Sequence, residues 1–202
     1  MKQVIFLDID TQYDFMHKEG KFYIPDAEKI VPNLERITNF VKKKKIFVIA
    51  SIDNHKVSNA NINPKTSFKH YAAYDSGQKK IPETWLKNAV SVPNKKLDDR
   101  KIEQLKEKNR LIIEKQKHDV FSNPNTKKIL RNVKKAYVYG VATDYCIKAA
   151  VLGLRNMNIE TYVIKDAIKP VFKKNEKKDL ALFRKKGAKF LNTKQLLKKN
   201  SL

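Results

Sequence analysis

The sequence predicts an α/β fold of three layers, in which a central parallel sheet is covered by helices on both faces. Short, continuously apolar segments of strand length alternate along the chain with segments of helical apolar spacing. Strands of parallel sheets are buried on both faces, so they lack the apolar–polar alternation of half-exposed strands. The length of 202 residues predicts one domain over residues 1–202, with an irregular segment at about 54–90.

The predicted elements follow one another in this alternating order. Short apolar runs predict five strands: Val4–Ile9, Ile46–Ala50, Leu111–Ile113, Ala136–Val141 and Ile159–Ile164. Apolar residues at helical spacing predict a helix over Ala27–Lys42. Further helices are predicted directly after Pro124, from Thr143 to about Asn156, over about Glu176–Lys186 and over about Thr193–Lys199.

The composition is strongly basic but does not indicate a nucleic-acid site. The formal net charge is +23, from 44 basic and 21 acidic residues. Only six of the basic residues are arginine, and the lysines are spread over the whole chain. This distribution favours a lysine-coated surface over a specific nucleic-acid interface. A basic nucleic-acid-binding module remains the alternative that is not an enzyme, and it predicts a clustered basic face with salt-sensitive binding.

Cysteine usage and hydropathy indicate the cell compartment. Cys146 is the single cysteine, which excludes an intrachain disulfide and favours a reducing cytosol. No apolar run reaches the ~18 residues of a membrane-spanning helix. Asp8 and Asp10 interrupt the apolar segment that a signal peptide would need. The sequence therefore predicts a cytoplasmic protein without a membrane segment.

Reactive side chains follow the carboxyl ends of four predicted strands. These are, in chain order, Asp8, Asp10, Ser51, Asp53, Lys115 and Cys146. Because ligands of such sheets bind beyond the carboxyl ends of the strands, we expect these side chains to converge at one edge. Thr143 is expected to cap the following helix, which would place Cys146 in its first turn. Free amides there favour a thiolate and could hold an oxyanion.

Two further patterns carry possible chemistry. Asp8 and Asp10 have the same parity on the first strand and could face one side, and a carboxylate at Asp10 could take the thiol proton and return it to a leaving amine. Asp53 and His55 have the spacing that brings two ligands to one side of an extended segment, and His70 could complete a site for Zn²⁺, Fe²⁺ or Mn²⁺. The remaining histidines, His17 and His118, are expected to be surface residues.

Several motifs resemble those of the isochorismatase-like cysteine hydrolases, in particular the nicotinamidase branch. The residues that carry the resemblance are Asp10-Thr11-Gln12-Tyr13-Asp14-Phe15, Lys115 with Phe121 six positions later, and Gly140-Val141-Ala142-Thr143-Asp144-Tyr145-Cys146. Asp53-x-His55 and His70 resemble the metal ligands of nicotinamidases. The order and spacing of these motifs extend over nearly the whole chain.

The resemblance implies a fold and a set of site residues. It implies a parallel sheet of about six strands, a catalytic triad, a cis peptide bond and an oxyanion hole of two backbone amides. The triad is Asp10, Lys115 and Cys146; the cis bond joins Val141 to Ala142; the amides are those of Ala142 and Cys146. Residues expected to contact the substrate are Phe15, Phe68, Trp85 and Tyr145.

The resemblance also implies an activity and a cofactor. The activity is the hydrolysis of nicotinamide to nicotinate and ammonia through a cysteine thioester, a step of NAD salvage, in a protein that could form homo-oligomers. Asp53, His55 and His70 would hold a divalent metal, Zn²⁺ before Fe²⁺ or Mn²⁺, that binds the pyridine nitrogen, and no nucleotide cofactor is expected. Nicotinamidases usually have a further His or Glu ligand between the two histidines, and this chain has neither there. Another small-amide or ureide hydrolase of the same family is therefore an alternative.

The opening strand supports a second enzyme class. Phe6-Leu7-Asp8-Ile9-Asp10-Thr11 is similar to the start of haloacid-dehalogenase-like phosphatases, in which Asp8 would be the nucleophile and Asp10 the acid/base. That alternative gives Cys146 no role.

Overall fold

The computed structural model describes residues 3–54 and 76–199, and these residues form a sheet of seven strands, all parallel. The strands are β1 (Val4–Ile9), β2 (Phe47–Asp53), β3 (Val90–Val92), β4 (Arg110–Lys115), β5 (Lys135–Val141), β6 (Glu160–Lys169) and β7 (Lys189–Leu191). Their order across the sheet is β3-β4-β2-β1-β5-β6-β7. The prediction of a parallel α/β fold is confirmed, with seven strands in place of about six.

Seven α-helices lie between or after these strands in the described residues. They are α1 (Tyr13–Met16), α2 (Val31–Lys43), α3 (Asp99–Glu107), α4 (Thr126–Leu130), α5 (Lys148–Asn156), α6 (Lys173–Lys185) and α7 (Thr193–Leu197). A 3-10 turn over Ala27–Ile30 leads directly into α2, so the helix predicted from Ala27 begins in this tighter form. The described part of the segment expected to be irregular, from residue 76 onward, contains two further 3-10 turns, Ser76–Gln78 and Pro82–Thr84, before β3 begins.

The alternation of side chains along β1 divides the core into two layers. Ile5, Leu7 and Ile9 point into the layer beneath α3, α4, α5 and α6. Phe6 points into the other layer, beneath α1, α2 and α7. We call these the α5 layer and the α2 layer. Their presence on both sides of β1 confirms the three-layer arrangement, since each face of the sheet buries its apolar side chains against helices.

β1 and β5 approach each other closely near their carboxyl ends. Gly140 of β5 pairs with Ile9 of β1 and has a φ of +111°. A Cβ atom at Gly140 would collide with the carbonyl oxygen of Ile9. Glycine is thus required here both by its backbone conformation and by the lack of space. The pairing of β5 with β6 shifts register between Val138 and Gly140, directly before the chain enters the cysteine-bearing turn.

Candidate active site

Asp10, Lys115 and Cys146 meet at the carboxyl edge of the central strands. The ammonium Nζ of Lys115 lies 2.8 Å from Asp10 Oδ2 and 3.7 Å from Cys146 Sγ. The side chains of Lys115 and Asp10 are 0% and 1% exposed, and Cys146 is also buried. β4, β2, β1 and β5 are neighbours in the sheet, so residues that follow β1, β4 and β5 reach one another although they are distant in sequence.

The backbone conformation of Asp10 directs its carboxylate to this cluster. Asp10 directly follows β1 and has a φ of +49°, a left-handed conformation that interrupts the alternation of the strand. Its Oδ1 accepts a 2.6 Å hydrogen bond from Ser51 Oγ, and Ser51 has the parity of Phe47 and Ile49, which belong to the α5 layer. Lys115 shares the parity of β4 residues in that same layer. Asp10 therefore joins the α5 side.

The expectation that Asp8 and Asp10 face one side is wrong for this reason. Asp8 keeps the strand alternation and pairs with Ala50 and Tyr139, which belong to the α2 layer. Its Oδ2 forms a 2.9 Å ion pair with Lys80 Nζ, with both side chains 1% exposed. A carboxylate that is buried in an ion pair is not accessible to a phosphate ester, so the structure does not favour the phosphatase alternative.

Gln12 joins the end of β2 to the segment that contains Lys80. Its side-chain Nε2 donates to the carbonyl oxygens of Asp53 (3.2 Å) and Gln78 (2.8 Å). Its Oε1 accepts from the backbone N–H of Asp53 at 2.7 Å. All three partners are backbone groups, so Gln12 positions the chain at Asp53 and Gln78 whatever side chains stand there.

The turn that carries Cys146 is wider than the predicted helix start. Thr143–Ile147 forms a single π-helical turn, and α5 continues from it. The cap residue is Ala142 rather than Thr143, and its carbonyl oxygen accepts from the amides of Tyr145 (3.1 Å) and Ile147 (3.0 Å). The Thr143 hydroxyl is buried without a hydrogen-bond partner among the described residues. The peptide bond between Val141 and Ala142 is cis, as the resemblance implies.

Asp144 connects the same turn to the start of α6. Its carboxylate accepts from the backbone amides of Val171 (2.8 Å) and Phe172 (3.0 Å) and from Asn175 Nδ2 (3.4 Å). Asp144 is 3% exposed, so these donors replace the water it has lost. The loop before α6 is thereby held beside the cysteine turn.

The electrostatics at Cys146 oppose the expected thiolate. Burial raises the pKa of the Cys146 thiol well above its ordinary value. The ammonium of Lys115 acts in the opposite direction, while the charges of Asp10 and Asp53 and a hydrogen bond to Asp10 raise the pKa further. The resting sulfur is therefore a thiol, and its proton must move to a base before it can attack. Free amides at a helix start favour a thiolate, but burial removes the water that an ionised sulfur at Cys146 would need.

Lys115 stays charged despite its burial. Desolvation alone would lower its pKa, but the negative charges of Asp10 and Asp53 and a hydrogen bond to Asp10 together raise the pKa above the usual lysine value. Asp53 pairs with Lys115 across β2 and β4, and its Oδ2 lies 3.7 Å from Lys115 Nζ. Lys115 is thus a permanent cation that can stabilise a thiolate but cannot serve as a base.

The structure describes one of the three predicted metal ligands. Asp53 lies at the site edge with its side chain 12% exposed, and a carboxylate in that position fits a divalent metal. His55 and His70 lie outside the described residues. Over residues 3–54 and 76–199, no three His, Cys, Asp or Glu side chains are close enough together to bind a metal.

The predicted substrate-contacting aromatics have different surroundings. Tyr145 precedes the cysteine and packs between both core layers. Phe15 is half-buried against the α2 layer, and Trp85 is 51% exposed. Phe68 lies outside the described residues.

His118 is a site residue that the sequence analysis misses. Its Nδ1 lies 3.9 Å from Cys146 Sγ, and its ring centroid is 5.0 Å from that of Tyr145. It is exposed, as expected for a surface residue, but it lies directly against the candidate nucleophile. The signal that could have found it is its position three residues after Lys115, at the same carboxyl edge where ligands bind.

Nearly the whole chain matches the model of one protein family. The family model described as the isochorismatase domain matches residues 4–195. No curated protein matches the chain. None of the helices in residues 3–54 and 76–199 has the length and apolar character needed to span a membrane.

Solved structures share the fold at low sequence identity. The zinc complex of the pyrazinamidase of Pyrococcus horikoshii has a TM-score of 0.73 at 22% identity, over 94% of this chain and 99% of that chain. N-carbamoylsarcosine amidase from Thermoplasma acidophilum has a TM-score of 0.73 at 19% identity, over 95% and 96%. A nicotinamidase/pyrazinamidase from Bacillus subtilis has a TM-score of 0.73 at 17% identity, over 94% and 100%.

Proposed function

This chain belongs to the isochorismatase-like hydrolase family, and from that premise we propose that it is a nicotinamidase. It hydrolyses nicotinamide to nicotinate and ammonia in the cytoplasm, as a step of NAD salvage, and folds as a single domain. The observation that carries the proposal is the contact of Lys115 Nζ with both Asp10 Oδ2 (2.8 Å) and Cys146 Sγ (3.7 Å). A buried acid, cation and thiol in contact are the groups that covalent amide hydrolysis needs.

In the first half-reaction, Asp10 removes the proton from the Cys146 thiol. This transfer is necessary because burial raises the pKa of the thiol. The ammonium of Lys115 stabilises the thiolate, which attacks the carboxamide carbon. The backbone amides of Ala142 and Cys146 then donate to the oxyanion, and each such donor contributes about 3 kcal/mol in acyl-transfer enzymes.

The tetrahedral intermediate breaks down when Asp10 returns its proton to the amide nitrogen. Ammonia leaves, Cys146 carries the acyl group as a thioester, and Asp10 is again a carboxylate beside Lys115. Ser51 keeps the carboxylate oriented through its 2.6 Å hydrogen bond to Oδ1, which leaves Oδ2 to exchange the proton. Water then cleaves the thioester and releases the acid.

Asp53, His55 and His70 are the proposed metal ligands, with Zn²⁺ as the metal. The position of Asp53 at the site edge supports this set, as does the zinc in the Pyrococcus horikoshii pyrazinamidase. When bound, the metal supplies a Lewis acid that fixes the pyridine nitrogen of the substrate. Phe15, Phe68, Trp85 and Tyr145 are proposed to pack against the pyridine ring.

A second candidate is the hydrolysis of another small amide or ureide. The fold similarity to N-carbamoylsarcosine amidase supports it, and so does the lack of a His or Glu between His55 and His70. The triad chemistry is the same for both candidates, so only the substrate distinguishes them.

Ammonia release from nicotinamide, pyrazinamide and N-carbamoylsarcosine tests the proposal. We expect nicotinamide to be hydrolysed, metal analysis of the purified protein to find zinc, and a chelator to reduce the rate. The Cys146→Ala variant should release no ammonia, while Cys146→Ser, with its weaker nucleophile, should retain a trace. Turnover of N-carbamoylsarcosine alone would support the second candidate. Hydrolysis by Cys146→Ala at the wild-type rate would contradict both.

A further inference from the structure

His118 touches the reacting sulfur from a more exposed position than Lys115. Its Nδ1 is 3.9 Å from Cys146 Sγ, nearly as close as Lys115 Nζ at 3.7 Å. Lys115 is fully buried, whereas His118 is exposed. The sulfur thus contacts a permanent cation in the interior and an imidazole at the solvent boundary.

Two neighbouring elements determine the position of the imidazole. His118 lies three residues beyond the end of β4. The next residue, Asp119, caps a 3-10 turn over Val120–Ser122, and its side chain accepts a 2.8 Å hydrogen bond from the backbone amide of Phe121. The ring of His118 packs at 50° to the ring of Tyr145, which directly precedes the nucleophile. The contact between Nδ1 and Sγ is therefore supported from both β4 and the cysteine turn.

We propose that His118 is a catalytic residue of the second half-reaction, the general base that activates water for hydrolysis of the Cys146 thioester. The inference rests on the proposed function, because it requires an acyl-enzyme. Lys115 is fully buried in its ion pairs with Asp10 and Asp53, so it does not reach the solvent that supplies the water. Asp10 is buried in its ion pair with Lys115, away from the solvent that supplies the water. Among the described side chains that contact Sγ, His118 alone has a basic nitrogen and is exposed to solvent.

The proposed step balances in atoms and charge. Nδ1 accepts one proton from water while the water oxygen bonds to the thioester carbon. The intermediate collapses with cleavage of the C–S bond, and sulfur leaves as a thiolate beside Lys115. The proton on Nδ1 then passes to Sγ, which restores the thiol and the neutral imidazole. The acyl group leaves as the carboxylic acid, which ionises in solvent.

The test separates the two half-reactions in single-turnover and steady-state assays. His118→Phe keeps a flat ring against Tyr145 but has no basic nitrogen, and His118→Gln keeps a polar side chain without a basic group. His17→Phe is the matched control, because His17 is a second exposed histidine that stacks on Tyr13. Ammonia is measured by rapid quench, and the acyl group on Cys146 by intact-protein mass spectrometry.

We expect both His118 variants to release the first equivalent of ammonia at close to the wild-type rate. Their steady-state rate should fall by at least about 100-fold, the usual contribution of a general base, and the acyl-enzyme should accumulate. Hydroxylamine attacks thioesters without base assistance, so it should restore turnover in these variants. His17→Phe should behave like the wild type in every assay.

Two results would overturn the inference while the proposed function stands. One is a steady-state rate within about threefold of the wild type in both His118 variants. The other is a first turnover that slows as much as the steady state, with no acyl-enzyme and no response to hydroxylamine. If the wild type releases ammonia from none of the three amides, the proposed function itself fails and this inference with it.

Discussion

Asp8 and Asp10 stand two residues apart, yet their carboxylates lie on opposite sides of the sheet edge. Asp8 forms its ion pair with Lys80 on the side of the α2 layer, and Asp10 forms its ion pair with Lys115 on the side of the α5 layer. The left-handed φ of +49° at Asp10 separates them. One strand end therefore supplies two buried ion pairs, of which only one reaches the cysteine.

The ion pair between Asp8 and Lys80 gives the first prediction, which concerns stability. The Nζ of Lys80 also donates a hydrogen bond to Thr11 Oγ1 at 2.5 Å. Lys80→Met would leave the Asp8 carboxylate buried without its cation, so we expect the free energy of unfolding in urea to fall by about 3–5 kcal/mol. The double variant Asp8→Leu/Lys80→Met should lose less than Lys80→Met alone.

The sign of the pH dependence follows from the pKa of Asp8. Burial raises this pKa, and Lys80 opposes the rise, so the pKa of Asp8 should rise further in Lys80→Met. A raised folded-state pKa stabilises the protonated form, and that stability is lost as pH rises through the folded-state value. The difference in free energy of unfolding between Lys80→Met and the wild type should therefore become smaller at acidic pH. The control variant Lys79→Met changes an exposed neighbouring residue and should lower the free energy of unfolding by less than about 0.5 kcal/mol. A loss as large as that of Lys80→Met would contradict the stabilising role of the ion pair between Asp8 and Lys80.

The convergence of Asp10, Lys115 and Cys146 could be predicted, because the carboxyl ends of parallel strands share one edge. The direction of Asp10 could not, since strand parity fails where φ becomes positive. The sequence does not predict β3 and β7, because three residues at a sheet edge show no apolar periodicity. The sequence does not predict α3 either, because that helix has only two buried apolar side chains among its charged residues. The contact of His118 with Cys146 depends on the path of the loop after β4, which residue spacing does not encode.

Packing around Gly153 gives the second prediction. Gly153 lies in the middle of α5, and a Cβ atom there would collide with the ring of Phe121. Gly153→Ala should raise helix propensity by about 1 kcal/mol, but displacing a packed ring costs about 1–3 kcal/mol. We expect no gain in the free energy of unfolding, and a lower ammonia-release rate, because Phe121 lies on the segment that carries His118. A clear gain in stability would contradict this packing.

Tyr137 gives the third prediction, at alkaline pH. Its ring stacks between those of Phe6 and Tyr162, and its hydroxyl is buried without a hydrogen-bond partner among the described residues. Burial, with smaller contributions from Tyr162 and Glu160, raises the pKa of Tyr137 to about 12. Between pH 10 and 12 the unfolded chain thus loses this proton before the folded protein does, and stability falls as pH rises.

Tyr137→Phe removes both the unpaired hydroxyl and its ionisation. Near neutral pH the variant should match or exceed the wild type in free energy of unfolding, because the hydroxyl has no hydrogen bond to a described residue that the change would remove. Above pH 10 the variant should gain on the wild type by up to about 1.4 kcal/mol per pH unit. A constant difference between the two proteins from pH 8 to 11 would show that the phenol titrates normally in the folded protein.

The last prediction assigns opposite signs to the two charged partners of the thiol. Lys115 lowers the pKa of Cys146, whereas Asp10 raises it through its charge and its hydrogen bond. Lys115→Met should therefore raise the thiol pKa, and Asp10→Asn should lower it. Because the thiolate is the reactive form, iodoacetamide at neutral pH should alkylate Lys115→Met more slowly than the wild type, and Asp10→Asn faster. Cys146 is the single cysteine, so the reagent reports on this sulfur alone.

Ammonia release should fall in both variants, although their alkylation rates change in opposite directions. Asp10→Asn lacks the carboxylate that carries the thiol proton to the leaving amine, so ammonia release should fall by about 100-fold or more although its cysteine reacts faster. A change in burial alone would move both variants in the same direction, since any loosening of the site exposes the sulfur. Opposite changes in alkylation rate, with loss of ammonia release in both, therefore require Asp10 and Lys115 to act on Cys146 through charge and proton transfer; parallel changes would refute that arrangement.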